Sequence, residues 1–564
     1  MNISFAILGL TLLVALLFCL RGVRSMTLEQ WSVGGRGFGT AFVFLLLAGE
    51  IYTTFTFLGG SGWAYGKGAP AFYIISYGTV AYIMSYWLLP LIWKRGHSWR
   101  VISQPEYFTR AYNSPFLGKL VAAVGIVALI PYLILQLRGL GIIVSEVSAG
   151  AVSTALAIWI GATATVVYVV LAGIKGSALN AALKDILVLV AVVGLGIALP
   201  YQHFGGIGPM FDKIIAAKPG FLTLPDSGQS ASWFVSTVAL TALGYYMWPH
   251  TFGSLFSSKD SRAFQRNAAL LPLYQLILLF VFFVGFAALL VVPGLTGTDV
   301  DLSLLRIVRV TYGPWVLGFV GAAGMLTALV PGSMIMMSAA TMLARLVRPP
   351  AGPYPQNANG NATAKANAAA NAIAKATATA TATANATAEA TATAIASGNL
   401  NANTIGNLNA NANLNANLNA NAIPKPNNNA DLTLARMFVP VVAAVAIFFT
   451  FRGGNTLVTL LLMGYSMVTQ LFPSLLASLR RNSRVSASAA IAGIVVGELT
   501  VAVLTLSKVT LPTLLPSWPH AVTDLNIGVV ALTLNLVAMF AVTSLTKSSL
   551  VQTEFVPTAG KRAV

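Results

Sequence analysis

The chain has 564 residues, of which 56% are hydrophobic and only 9% charged, with a formal net charge of +18. Soluble globular chains carry about 25% charged residues, so this composition excludes a soluble globular protein and reads as a polytopic membrane protein. The basic excess lies in short loops between apolar runs, where it reports topology and does not call for a nucleic-acid partner.

A helical crossing needs about 20 apolar residues. Thirteen stretches qualify: 3–20, 38–66, 71–93, 120–149, 152–171, 185–199, 233–248, 268–292, 315–344, 434–451, 456–476, 485–506 and 526–545. The first run lacks a basic leader and a small-residue cleavage site and is followed by Arg21 and Arg24, so it reads as an uncleaved helix with its N-terminus outside. Thirteen crossings from that start put 25 of the 33 lysines and arginines inside and seven outside, with Arg138 within a span. Dropping any span scrambles the alternation, so the charges support thirteen and a cytoplasmic C-terminus. Lys175 and Lys184 count in this scheme as the inner connection between the fifth and sixth spans. The single cysteine, Cys19, leaves no intrachain disulfide to form.

The second run holds Gly49-Glu50-Ile51-Tyr52-Thr53-Thr54, an acid in the middle of an apolar helix. A carboxylate at bilayer depth costs about 2.5–3.5 kcal/mol on insertion scales, so Glu50 is expected to face a protein interior or wet cavity. Gly49, Gly59, Gly60 and Gly62 weaken the helix around it. A broken, acid-bearing membrane helix is a device by which transporters bind ions and solute near the midplane. The fourth run carries Gln136 and Arg138. A guanidinium there could grip a carboxylate in a bidentate pair, snorkel outward, or pair with Glu50 or Glu146. The seventh ends Gly244-Tyr245-Tyr246-Met247-Trp248-Pro249, where proline removes a backbone donor and disfavours helix before it. Between the ninth and tenth spans, residues 356–429 repeat Asn-Ala, Thr-Ala and Asn-Leu. So little large apolar surface cannot offset the entropy of ordering, and the stretch reads as a disordered cytoplasmic insertion, a tolerated repeat expansion. Glu498 lies in a peripheral helix and reads as structural or interface-facing.

Trp31-Ser32-Val33-Gly34-Gly35-Arg36, Phe57-Leu58-Gly59-Gly60-Ser61-Gly62-Trp63-Ala64-Tyr65-Gly66-Lys67-Gly68, Ser103-Gln104-Pro105-Glu106-Tyr107-Phe108, Tyr246-Met247-Trp248-Pro249-His250 and Ser258-Lys259-Asp260-Ser261 follow one another in an order that resembles the sodium:solute symporter family, from Thr27 to Arg484 less the repeat. Gly49-Glu50-Ile51-Tyr52-Thr53-Thr54-Phe55 and Ala328-Leu329-Val330-Pro331-Gly332-Ser333-Met334 look most like its branch for short monocarboxylates such as pyruvate, lactate and acetate. The resemblance implies an all-α fold of 13 transmembrane helices, a LeuT-type 5+5 inverted repeat with one leading and two trailing helices. The expected layout is 1–26 for the leading helix, 27–200 for the first repeat, 201–350 for three helices of the second, 351–430 for the insertion, 431–480 for the last two helices of that repeat, and 481–564 for the trailing pair and tail.

The resemblance also implies a sodium site between the first and eighth core helices. It would take the backbone carbonyls of Ala48 and Ile51, with Thr327 and Ser333 as side-chain candidates. Leu326, Leu329 and Val330 stand where hydroxyls are expected, so at least one ligand is missing. Glu50 is expected to bind or couple the cation, or to be a buried structural acid whose raised pKa would suit proton coupling. Thr327 and Ser333 have an equal claim to bonding back to their own helix. Arg138, Gln136, Tyr52, Tyr245, Tyr246 and Trp248 are the expected substrate contacts.

The expected function is secondary active symport of a small organic solute, a short monocarboxylate first, with Na+ or H+ as the coupling ion and no other cofactor. Another small solute such as an amino acid, or a transporter-like sensor, is the alternative. A membrane enzyme would cluster histidine, acid or cysteine at one depth, yet His97, His203, His250 and His520 fall at span ends or in loops. No G-x-x-x-x-G-K-[ST] loop occurs to bind ATP. Interrupted helices disfavour a channel. The expected setting is a bacterial cytoplasmic membrane, with solute and lipid as partners and the chain a monomer or weak homo-oligomer.

Overall fold

In a computed structural model the described residues are 3–20, 26–349, 428–480, 482–546 and 551–552. The expected disordered insertion lies almost wholly outside them. The described part is helical apart from one two-residue pairing of Asn482–Ser483 with Val551–Gln552.

All thirteen apolar runs are helical. α1 is Ile3–Leu20, α2 the short Leu28–Val33, α3 Thr40–Ile51 and α4 Gly60–Lys67, the last joined to α3 through a π-turn at Phe55–Gly59. α5 spans Tyr73–Ser98, α6 Gln104–Tyr112, α7 Pro115–Val147 and α8 Thr154–Phe204. α9 is Ile207–Ala217, α10 Ala231–Gly244, α11 Pro249–Ser257, α12 Arg262–Gln275, α13 Leu278–Val291, α14 Ser303–Thr311 and α15 Pro314–Val347. After the insertion come α16 Asn428–Thr450, α17 Leu457–Val468, α18 Phe472–Leu479, α19 Ala487–Leu506, the one-turn α20 Leu511–Leu514 and α21 His520–Thr523, and α22 Ile527–Leu545.

Among the described residues nine helical spans are long and apolar enough to cross a membrane, or ten if the bent pair α3–α4 counts as one span. The difference from thirteen has physical sources. α8 has 51 residues, and a straight helix of that length would reach about 77 Å, more than twice a hydrocarbon core. It turns at Gly173, whose φ of +55° and lack of a Cβ let the Trp31 backbone lie against it; a Cβ there would come within 2.6 Å of the Trp31 carbonyl. α1 and the interrupted α10–α11 are short.

α15 is the most enclosed of the long helices and packs along α7 and α8, its flanks supplied by glycine and alanine. α19 and α22 pair at the periphery and present Leu499, Val503, Val537 and Phe540 outward, as a lipid-facing pair does. Arg345 of α15 forms ion pairs with Glu106 of α6 at 2.9 Å and with Asp431 of α16 at 3.2 Å, tying three elements together. The Trp31–Arg36 motif is anchored by its own contacts. Trp31 donates to the Val169 carbonyl, and Arg36 pairs with Glu29 at 2.6 Å and reaches the Val101 carbonyl.

Candidate substrate and cation site

Two interrupted helices meet in the core. The first, α3 and α4, bends by 48° at Tyr52–Thr54. Helical bonding stops there because Thr53 Oγ1 takes the Phe55 amide, while Thr56 Oγ1 donates to the carbonyls of Ile51 and Thr53. Threonines competing with the backbone are a known helix-loosening device. Carbonyls at the break are met from other helices, Glu50 by Tyr132 at 2.9 Å and Tyr52 by Lys184 at 3.1 Å, and one turn earlier Tyr82 donates to the Leu47 carbonyl at 3.1 Å. The second break runs from Gly244 through a 3₁₀ turn at Tyr245–Met247 to an extended Trp248, after which Pro249 starts α11. The Met247 carbonyl freed there accepts from Gln104 Nε2 at 2.7 Å, which gives the Ser103–Phe108 motif its place.

The breaks are joined side chain to side chain. Thr251 Oγ1 donates to Glu50 Oε2 at 2.7 Å. Glu50 is 7% exposed, and its Oε1 has no hydrogen-bond partner among the described residues. Around this joint stand Tyr132, Trp248 and His250, with ring centroids 4.8 Å (Tyr132–Trp248) and 5.5 Å (Tyr132–His250) apart. Tyr465 lies edge-on to Trp248 and Tyr77 edge-on to Tyr465. One turn along α7 from Tyr132, Gln136 accepts from Thr54 at 2.8 Å and keeps its Nε2 unpartnered. The Tyr245 hydroxyl is likewise buried and unpartnered. Free buried donors beside broken helices are what a polar solute would use. A narrow pocket opens beside the second break, between Pro249, His250 and Gly253 and Met334, Met337 and Thr341 of α15.

The residues expected from sequence thus fall in two groups. Glu50, Gln136, Tyr245 and Trp248 converge at the breaks, and Ala48, Ile51 and Tyr52 supply backbone there. The Tyr52 ring turns away, lying tilted against Tyr274 at 4.6 Å with its hydroxyl donating to the Tyr274 carbonyl at 2.7 Å. Tyr246 points into α5, bonding the Ala81 carbonyl and Ser85. Arg138 bonds the Asn455 carbonyl at 2.7 Å in the connection before α17 and lies half-buried, pairing with neither Glu50 nor Glu146. Glu146 pairs instead with Arg309 at 3.0 Å. Thr327 bonds back to the Gly324 carbonyl, and Ser333 to Val330 and to Ser177 of α8.

Two placements correct the sequence reading. Lys184 is not in a loop: the helix after Gly173 continues unbroken to Phe204, which buries the lysine completely and aims it at the first break. His250, read as a span end, is buried in the core because the interrupted helix resumes as α11. Thr54, Thr251, Tyr132, Tyr77 and Tyr465 were not anticipated. The paired threonines next to Glu50 were the available signal for Thr54; the others are legible only once the helices are packed.

The sodium:solute symporter family model matches residues 31–348. The chain belongs to the sodium:solute symporter family. An uncharacterized symporter, YhjB, of Bacillus subtilis (strain 168) is 49% identical over 551 residues, covering 97% of this chain and 98% of its own. A monocarboxylate transport permease protein of Rhizobium johnstonii is 30% identical over 330 residues, 56% of this chain and 64% of its own. Among solved structures, a Na+-coupled sialic acid symporter in a substrate-bound outward-open state superposes with a TM-score of 0.68 at 14% identity, over 98% of this chain and 99% of that one, which is a likeness of fold. As a family member with symporter relatives, the protein is a multi-pass membrane carrier of a small solute coupled to a cation.

Proposed function

We propose that this symporter takes up a short-chain monocarboxylate such as pyruvate, lactate or acetate across a bacterial cytoplasmic membrane, driven by a cation gradient. The observation that carries the reading is the Gln136 amide. It is 1% exposed, its oxygen is engaged by Thr54, and its Nε2 donors have no protein partner. A buried amide donor left unpaired costs stability unless a ligand meets it, and a carboxylate is the acceptor that gains most from it. The Tyr245 hydroxyl offers a second donor, and the aromatic walls of Tyr132 and Trp248 suit a small apolar tail. The monocarboxylate permease among the relatives points the same way.

The proposal includes thirteen crossings, counting α8 twice at Gly173 and α10–α11 once, in two five-helix repeats that each open with an interrupted helix. It places the N-terminus outside and the C-terminus inside. Glu50 and Thr251 form the joint between the two breaks through which cation and solute are coupled.

An amino-acid substrate is the second reading. The free Glu50 Oε1 is an acceptor that a substrate ammonium could meet. Uptake of labelled pyruvate, lactate, acetate and proline into proteoliposomes decides between them. Accumulation of the acids without proline is expected; accumulation of proline alone would refute the monocarboxylate reading. Counterflow in the same vesicles separates a carrier, which exchanges, from a channel.

A further inference from the structure

We propose that the first break holds a cation of the chain's own, the Lys184 ammonium, and that the position beside Ala48 and Ile51 where the family reading places sodium takes no sodium in this protein. The inference rests on membership of a cation-coupled family and not on the identity of the solute.

A sodium ion gives up its water only where several oxygens converge with lone pairs to spare. Of the two expected carbonyls one is fully engaged and the other half engaged. The Ile51 carbonyl accepts from the Thr53 amide at 2.9 Å and from Thr56 Oγ1 at 2.9 Å, which uses both lone pairs. The Ala48 carbonyl accepts from the Tyr52 amide at 3.0 Å. On α15 the Thr327 hydroxyl donates to the Gly324 carbonyl and Ser333 to the Val330 carbonyl, so both are oriented by their own helix and Ser333 also meets Ser177, while Leu326, Leu329 and Val330 bring no oxygen. The residues present do not fit the ion.

Lys184 fills the place. Its side chain is 0% exposed, and Nζ lies 3.1 Å from the Tyr52 carbonyl, the next along from Ile51. Gly49 leaves it room: a Cβ there would stand 3.2 Å from Nζ, a tight contact. A buried ammonium persists only when compensated, and Asp185 Oδ1 is 3.0 Å away, itself buried. The other titratable groups facing the pair are Tyr52 and Tyr274, which lie close to the Asp185 carboxylate, Tyr82, whose hydroxyl meets the Leu47 carbonyl, and Glu50 of α3, next to Gly49. A second full positive charge within a few ångströms would be repelled strongly in so dry a site. The lysine thus supplies the positive charge that a sodium ion would bring to the break, but it is tethered and cannot travel with the solute.

The test needs no substrate, so a wrong solute assignment leaves it untouched. Thermal unfolding of the purified full-length protein in detergent is followed in sodium chloride and in choline chloride at equal ionic strength. The wild type is expected to unfold at the same temperature in both; sodium-specific stabilisation overturns the proposal. Lys184→Ala removes the ammonium and leaves Asp185 and the Tyr52 carbonyl to attract a mobile cation. This variant is expected to lose stability in choline and to recover part of it in sodium. A folded Lys184→Ala indifferent to sodium also overturns the proposal. Should alanine prevent folding, Lys184→Gln, which can still donate to the Tyr52 carbonyl, is measured the same way with the same two outcomes.

Discussion

Glu50 on the first interrupted helix accepts a 2.7 Å hydrogen bond from Thr251 on the second, 201 positions along the chain. It is a direct side-chain link between the two elements that line the proposed transport site. A change in the separation of the two helices must stretch or break it. Hydrogen bonds to ionised groups are worth about 1.5–3 kcal/mol, so the link is strong enough to bias which arrangement of the helices is populated.

Thr251→Val keeps the side-chain shape and deletes the hydroxyl that donates to Glu50 Oε2. Initial uptake rates should fall about ten- to hundredfold, the kinetic equivalent of that energy range, while Thr251→Ser stays near wild type. Equal rates for the valine and serine variants would show the bond to be incidental. Glu50→Gln keeps an acceptor for Thr251 but removes the charge. It is expected to abolish accumulation against a gradient and to spare substrate counterflow. A Glu50→Gln protein that concentrates substrate normally removes Glu50 from coupling.

Gln136→Leu removes the free amide donors at nearly constant volume. The KM for the transported carboxylate should rise about tenfold or more, as expected for losing one hydrogen bond to a charged group, with expression unchanged. A variant with unaltered KM would place the substrate elsewhere.

Arg345→Ala leaves Glu106 and Asp431 without their shared guanidinium, to which they lie at 2.9 and 3.2 Å. Removing one partner of a buried ion pair typically costs about 3–5 kcal/mol, and the arginine is 18% exposed, so the lower end is expected here. The unfolding temperature in detergent should drop clearly. Arg345→Lys should recover only part of the loss, because an ammonium cannot fork between two carboxylates as a guanidinium does.

Removing residues 361–421 as a block should leave insertion and transport intact. A connection of any moderate length closes at small entropy cost, since each doubling adds about 0.6 kcal/mol. Normal expression with lost uptake would reveal a role for the repeat.

Much of the architecture was legible in sequence because the bilayer imposes a simple rule. Each crossing must be a long apolar helix, and each of the thirteen runs read from hydropathy is helical. The regions of both interruptions were also legible, since an acid sits in the first where lipid would reject it and glycine and proline flank the second. Lys184 was misread for a related reason. An adjacent Lys184-Asp185 pair looks like the end of a span when charges are counted, yet the two neutralise each other and so can lie inside one.

What the sequence determined by itself was therefore the class of the molecule, its helices, the two breaks and Glu50, all of which follow from local composition and spacing. Only the tertiary structure decided which side chains meet there. It turned Tyr52, Tyr246 and Arg138 away from the breaks and brought Tyr132, Thr251, His250, Tyr465 and Lys184 to them. The face a side chain presents depends on the rotation of its helix against its neighbours. In a chain whose helices are apolar nearly all the way round, periodicity carries little record of that rotation; close packing of small residues and the pairing of buried polar groups set it.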